Sequence, residues 1–174
     1  MSTTTTDTTE DVAVRAVVSL YKTYLTGTLF DYAYCRASTN YHIDTPSKKH
    51  RTEVFYDPKH VDLARQMCLR CTVRKQCLVN ALLFEVPLNK GKSRVGDNVF
   101  GVWGGSTPQE RIALVEQITV GQLIDLTFQS DLPSIRNAAY AIRMKIVGED
   151  DKALDLTLGS LRSKLYAALE PRRA

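Results

Sequence analysis

Cys68-Leu-Arg-Cys71-Thr-Val-Arg-Lys-Gln-Cys77 places three of the chain's four cysteines within one short stretch. On a single continuous helix, at about 100° per residue, Cys68 and Cys77 would point to opposite sides. The three can face one centre only if the chain turns near Cys71 and restarts as a helix. The flanking residues predict that arrangement. A helix from Pro58 through about Met67 delivers Cys68; Thr72 can cap; and Val73 to Val86 is rich in helix formers, with apolar Val73, Leu78, Ala81, Leu82 and Val86. The expected fold class is mainly α, a small helical module built around this bend. Cys35 lies upstream across a polar connection that contains Pro46 and Lys48-Lys-His-Arg51. Four thiolates suffice to complete a metal centre.

The bulk properties narrow the class. A chain of 174 residues with 44% hydrophobic content fits one domain, or one domain with a small appendage. It has no long apolar run and no basic-then-apolar leader, so the expectation is a cytoplasmic protein without membrane contact. Thiols stay reduced in that compartment, which favours metal over structural disulfides. His42, His50 and His60 lack knuckle spacing and are not expected as ligands. Residues 48 to 94 carry eleven Lys/Arg against four Asp/Glu, or +7, so with a net +4 the remainder carries −3. A basic band suits nucleic acid or an acidic protein face, and it equally describes a solvated surface easing the charge of thiolates.

Beyond the third cysteine, Leu88 to Asn98 reads as a flexible basic loop, followed by Gly101-Val-Trp-Gly-Gly105. Three glycines around one tryptophan permit positive φ and close backbone approach, predicting a sharp β-turn. Thr107-Pro-Gln-Glu110 is a capping box with proline at the first helical position, opening a helix to about Gln117.

This ordered set resembles the WhiB-like proteins of actinobacteria and their phages over roughly residues 33 to 117. It comprises a lone cysteine, C-x2-C-x5-C, G-V-W-G-G and a Thr-Pro-x-Glu-Arg helix start. Thr72 stands where that family usually has proline, a change confined to the turn. The resemblance implies that Cys35, Cys68, Cys71 and Cys77 ligate one [4Fe-4S] cluster per chain and that the protein regulates transcription. It further implies docking of the Gly101, Trp103, Gly104 and Gly105 turn on the C-terminal region of the housekeeping sigma factor, at promoter DNA. Phe55 and Tyr56 match an aromatic pair before proline in that family and suit a partner interface as well as a core. The cluster would respond to oxygen or nitric oxide, and its loss would free four thiols able to pair as disulfides.

The rest of the chain is read from its own pattern. Residues 1–10 form a threonine-rich tail, 11–118 a cluster-binding domain with an N-terminal helix, and 119–174 a C-terminal helical extension. The first helix runs from Asp11 to about Leu25, with Val14, Val17, Val18, Tyr21 and Leu25 as its apolar stripe. Helices are expected at Val120 to Phe128, Leu132 to Val147 and Thr157 to Leu169, with an acidic break at Gly148-Glu-Asp-Asp151. Asp151 to Leu169 is similar to a helix-turn-helix whose second helix would expose Arg162 and Lys164 to DNA, beside a basic tail at Arg172 and Arg173. The same leucine stripe describes a core helix. Two other functions are compatible with the cysteines: a zinc-stabilised binding module, and a thiol–disulfide oxidoreductase using Cys68 and Cys71. No βαβ pattern surrounds the C-x-x-C, so the expectation is a protein that is not an enzyme.

Overall fold

The computed structural model describes residues 7–26, 54–85 and 101–169. Cys35, the basic loop 88–98 and Arg172 and Arg173 lie outside the described residues. Among those described there are seven α-helices: α1 (Thr9–Thr26), α2 (Val61–Leu69), α3 (Arg74–Glu85), α4 (Pro108–Gln117), α5 (Val120–Phe128), α6 (Pro133–Glu149) and α7 (Leu158–Leu169). Short 3-10 turns span Pro58–His60 and Asp151–Asp155. The protein is mainly α, as its periodicity predicts.

Local chemistry explains where these helices start. Thr107 accepts from the Glu110 amide while the Glu110 side chain accepts from the Thr107 amide, and Pro108 holds the first position of α4. Thr119 and Gln122 repeat the reciprocal arrangement at α5. Thr8 and Asp11 exchange hydrogen bonds at the start of α1, at 2.6, 3.1 and 3.2 Å. Together with Lys164 they hold the Asp11 carboxyl down at about 2.

The large core joins α1, α3, α4, α5, α6 and α7. α1 buries Ala13, Ala16, Val17, Leu20 and Tyr24, whereas Val14, Val18 and Tyr21 are only partly buried. The stripe is thus rotated from the one expected. The small Ala13 and Ala16 let neighbouring helices approach closely, an effect that the bulk of valine and tyrosine conceals in a hydropathy pattern. α6 buries Ile135, Ala139 and Ile146, and α7 buries Leu158, Leu161 and Leu165. α6 runs two residues into the expected break, since Gly148 is tolerated inside a helix at about 1 kcal/mol, and the chain then breaks at an extended Asp150. Arg15 bonds Glu149 at 2.6 Å, tying α1 to the end of α6. A second, smaller core gathers Val54, Ala64, Met67, Cys68 and Val102.

Candidate metal centre

α2 ends at Leu69 and α3 starts at Arg74, so the helix is broken around Cys71, between Cys68 and Cys77. The bend is held by the backbone: Arg70 N–H donates to Met67 O at 3.2 Å, Cys71 N–H to Cys68 O at 3.1 Å, and Arg74 N–H to Cys71 O at 3.2 Å. Cys77 N–H donates to Val73 O at 2.8 Å, which sets Cys77 one turn into α3. Cys68 is buried in the smaller core, Cys71 and Cys77 are half-buried, and Cys71 packs against the large core. Arg70, Arg74 and Lys75 are exposed around the bend.

The glycine turn is seated on this same helix. Trp103 and Ser106 exchange backbone hydrogen bonds, both 3.0 Å, and Gly104 and Gly105 between them adopt φ of 58° and 85°. Positive φ at both central positions is what a type I′ turn requires. A Cβ on Gly104 would stand 2.7 Å from Arg74 O and from both the amide nitrogen and Cβ of Leu78, so only glycine permits this approach to α3. The Arg74 Nε donates to Gly104 O at 3.1 Å. The preceding strand of chain rests on residues 54–56: Val102 N–H donates to Phe55 O at 2.7 Å, and Gly101, at φ 67°, lies under the Tyr56 ring.

Arg111 of α4 locks the assembly. It is fully buried, and its Nη1 donates to Gly101 O at 3.0 Å and Ser106 O at 2.5 Å, clasping both ends of the turn. Sequence reasoning assigned it no role. The signal was present in Thr-Pro-Gln-Glu-Arg, where an arginine follows a helix start at a position facing the core. Beside it, Glu110 pairs with Arg65 of α2. The Thr107 amide, and then Arg65, hold the Glu110 carboxyl below the usual carboxylate range.

The structure seats Gly101, Trp103, Gly104 and Gly105 against α3 and residues 54–56, which include Phe55 and Tyr56, and places Cys68 near the end of α2, Cys71 just past it and Cys77 one turn into α3. Trp103 is half-buried, and Tyr56 and Leu69 are exposed apolar side chains. Among the described residues, no three His, Cys, Asp or Glu side chains close around one point as metal ligands. His60 faces Asp57, with Nδ1 3.0 Å from a carboxylate oxygen. Arg162 and Lys164 lie elsewhere, on α7, where Arg162 bonds Glu116 at 2.6 Å and Lys164 meets Glu10 and Asp11, both at 3.0 Å. No described helix is long and apolar enough to cross a membrane.

The three thiols at the bend are the donor type that a thiolate-bound metal centre uses. This is a small helical module with cysteines at a helix–helix bend and a glycine-held tryptophan turn against it. Residues 31–114 match the family model of the transcription factor WhiB, and that segment is WhiB-like. Searches of curated proteins and of solved structures returned no match.

Proposed function

We propose that the chain regulates transcription in the cytoplasm by carrying a [4Fe-4S] cluster on Cys35, Cys68, Cys71 and Cys77 and docking on a sigma factor through the Trp103 turn. The observation that carries the reading is the seating of Gly104 on the first turn of the Cys77 helix. Ligation at Cys77 and the placement of Trp103 then depend on the same few residues of α3. A bound cluster would supply reactivity toward oxygen or nitric oxide. The chain's part is to present the thiols, keep Cys68 away from water in the smaller core, and offset thiolate charge with Arg70, Arg74 and Lys75. Once unligated, the thiols could pair as disulfides. Tyr56, Leu69 and Trp103 offer the apolar area a protein partner would cover. If Arg162 or Lys164 contacted promoter DNA, it would first have to exchange an internal carboxylate for a phosphate.

Iron and acid-labile sulfide content, with the visible spectrum, of protein purified without oxygen test the reading. Roughly four irons and four sulfides per chain, falling sharply on Cys→Ala at any of the four positions, is the expected result. Zinc in place of iron, or full iron in Cys35→Ala, overturns it. For the partner, Trp103→Ala should retain most of its cluster yet bind the sigma factor's C-terminal region about thirtyfold more weakly, the effect of losing about 2 kcal/mol at an aromatic anchor. Unchanged binding by the loaded variant would remove Trp103 from the interface.

A further inference from the structure

The two hydrophobic cores divide the helices unequally. Among the described residues, the large core takes nothing from α2, and its contact with that part of the chain stops at Cys71 and Val73. The smaller core comes almost wholly from one run of sequence, through Val54, Ala64, Met67 and Cys68; of its buried residues only Val102 arrives from elsewhere. α2 packs closely on the 3-10 turn Pro58–His60 that precedes it, and its tie to α4 is the solvent-facing pair of Arg65 and Glu110. A pair of that kind adds little. A satellite cluster on one short helix opens at lower cost than a core that joins six helices.

Further ties lie at the two ends of this run. At its start, Phe55 O accepts from Val102 N–H at 2.7 Å, and the Tyr56 ring covers Gly101. At its end, Cys71 N–H donates to Cys68 O at 3.1 Å and Arg74 N–H to Cys71 O at 3.2 Å, a bend in place of a continuous helix. α3 is held independently of that bend. Its Val79, Leu82 and Leu83 lie in the large core, about 120–160° around the helix from Cys77. We infer that residues 54–70 form a flap that opens as one unit about the bend while the large core stays closed, and that ligation through Cys68 keeps it shut. The second half rests on the metal-centre reading above. Opening brings Cys68 into water and takes Phe55 and Tyr56 from beneath Gly101 and Val102. The turn then keeps its seat on α3 at Gly104 and its bonds to Arg111, and loses its other support. A ligand bound only by the closed state shifts this equilibrium toward closure. Occupancy of the metal site thereby sets how firmly Trp103 is presented.

Two probes of the reduced, metal-free full chain test the flap: iodoacetamide labelling of each thiol, read by mass spectrometry, and amide hydrogen exchange. Cys68 should label at a rate that hardly changes over the first ~1 M urea, the mark of local opening, while the Leu123 and Ile124 amides of the large core stay protected. Labelling of Cys68 that follows the slow exchange of Leu123 and Ile124 overturns the flap, and so does loss of protection at those two amides. Met67→Ala should speed labelling of Cys68 about thirtyfold and leave exchange at Leu123 and Ile124 within about twofold. Equal acceleration of both means a single cooperative core and overturns the inference. Reconstitution with ferrous iron and sulfide, without oxygen and checked by metal content, should slow exchange at the amides of Arg65 to Cys68 about a hundredfold. Unchanged exchange in loaded protein overturns the role of ligation. A chain that takes up no metal overturns the metal-centre reading and that role with it, whereas labelling of Cys68 still decides the flap.

Discussion

Replacing Gly104 with alanine tests whether the tryptophan turn is truly seated on α3. Two penalties add. The position has φ 58°, and holding an L residue there costs about 1–2 kcal/mol. The new Cβ would also meet Arg74 O, Leu78 N and Leu78 Cβ, each at 2.7 Å, and two of these are backbone atoms of a helix that cannot rotate aside. Overpacking of that kind costs about 1–3 kcal/mol. The sum is about 3 kcal/mol, a large part of the total stability of a domain this size. At 2–4 °C per kcal/mol for a chain of 150 to 250 residues, the melting temperature should fall by about 10 °C. Thermal unfolding of wild type and Gly104→Ala, followed by circular dichroism on metal-loaded protein, measures it. Hydrogen exchange should rise at the amides of Trp103 and Ser106, which close the turn. A loss below about 0.5 kcal/mol, within the range of ordinary surface changes, refutes the close approach of turn and helix.

Three further outcomes follow from particular contacts. Arg111→Met keeps the length and loses the donors to Gly101 O and Ser106 O, so urea unfolding should show a loss of about 3–5 kcal/mol. Gly148→Ala, in an exposed helical position with open space around it, should raise stability by about 0.5–1 kcal/mol in the same assay. Burial pushes the Tyr24 hydroxyl up to about 12, so its contribution is whole below the ordinary value near 10 and is lost as pH rises toward 12. Unfolding free energies measured from pH 9 to 12 should therefore fall by up to about 2 kcal/mol more for wild type than for Tyr24→Phe.

How much of this was legible in the sequence differs from residue to residue. The bend between Cys68 and Cys77 follows from angular arithmetic, because a 3.6-residue period admits no continuous helix that serves both. Thr107-Pro-Gln-Glu110 announced its helix because capping is local chemistry, satisfied within four residues. The burial of α1 was read one notch off, since which alanines meet a neighbouring helix is decided by residues more than a hundred positions away. Arg111 was missed for the same reason: its partners are carbonyls of a turn, and carbonyls leave no trace in side-chain pattern. Likewise, Gly104 was legible as a turn glycine, whereas its contact with Arg74 and Leu78 belongs to tertiary structure. The cations of α7 looked available in sequence and are engaged by Glu10, Asp11 and Glu116 in the fold.

The position of α1 governs the order in which the molecule can be made. Its buried face, ending at Tyr24, rests mainly on α6 and α7, whose last core leucine is Leu165. A ribosome adding about 5–20 residues per second needs roughly ten to thirty seconds to travel between them. For that interval the first helix lacks its main packing surface, and only α3 and then α5 can rest on it beside newly emerged cysteines. Closure of the large core is thus a late event in biosynthesis. Any loading machinery that required a finished scaffold would act only after the last helix had left the exit tunnel.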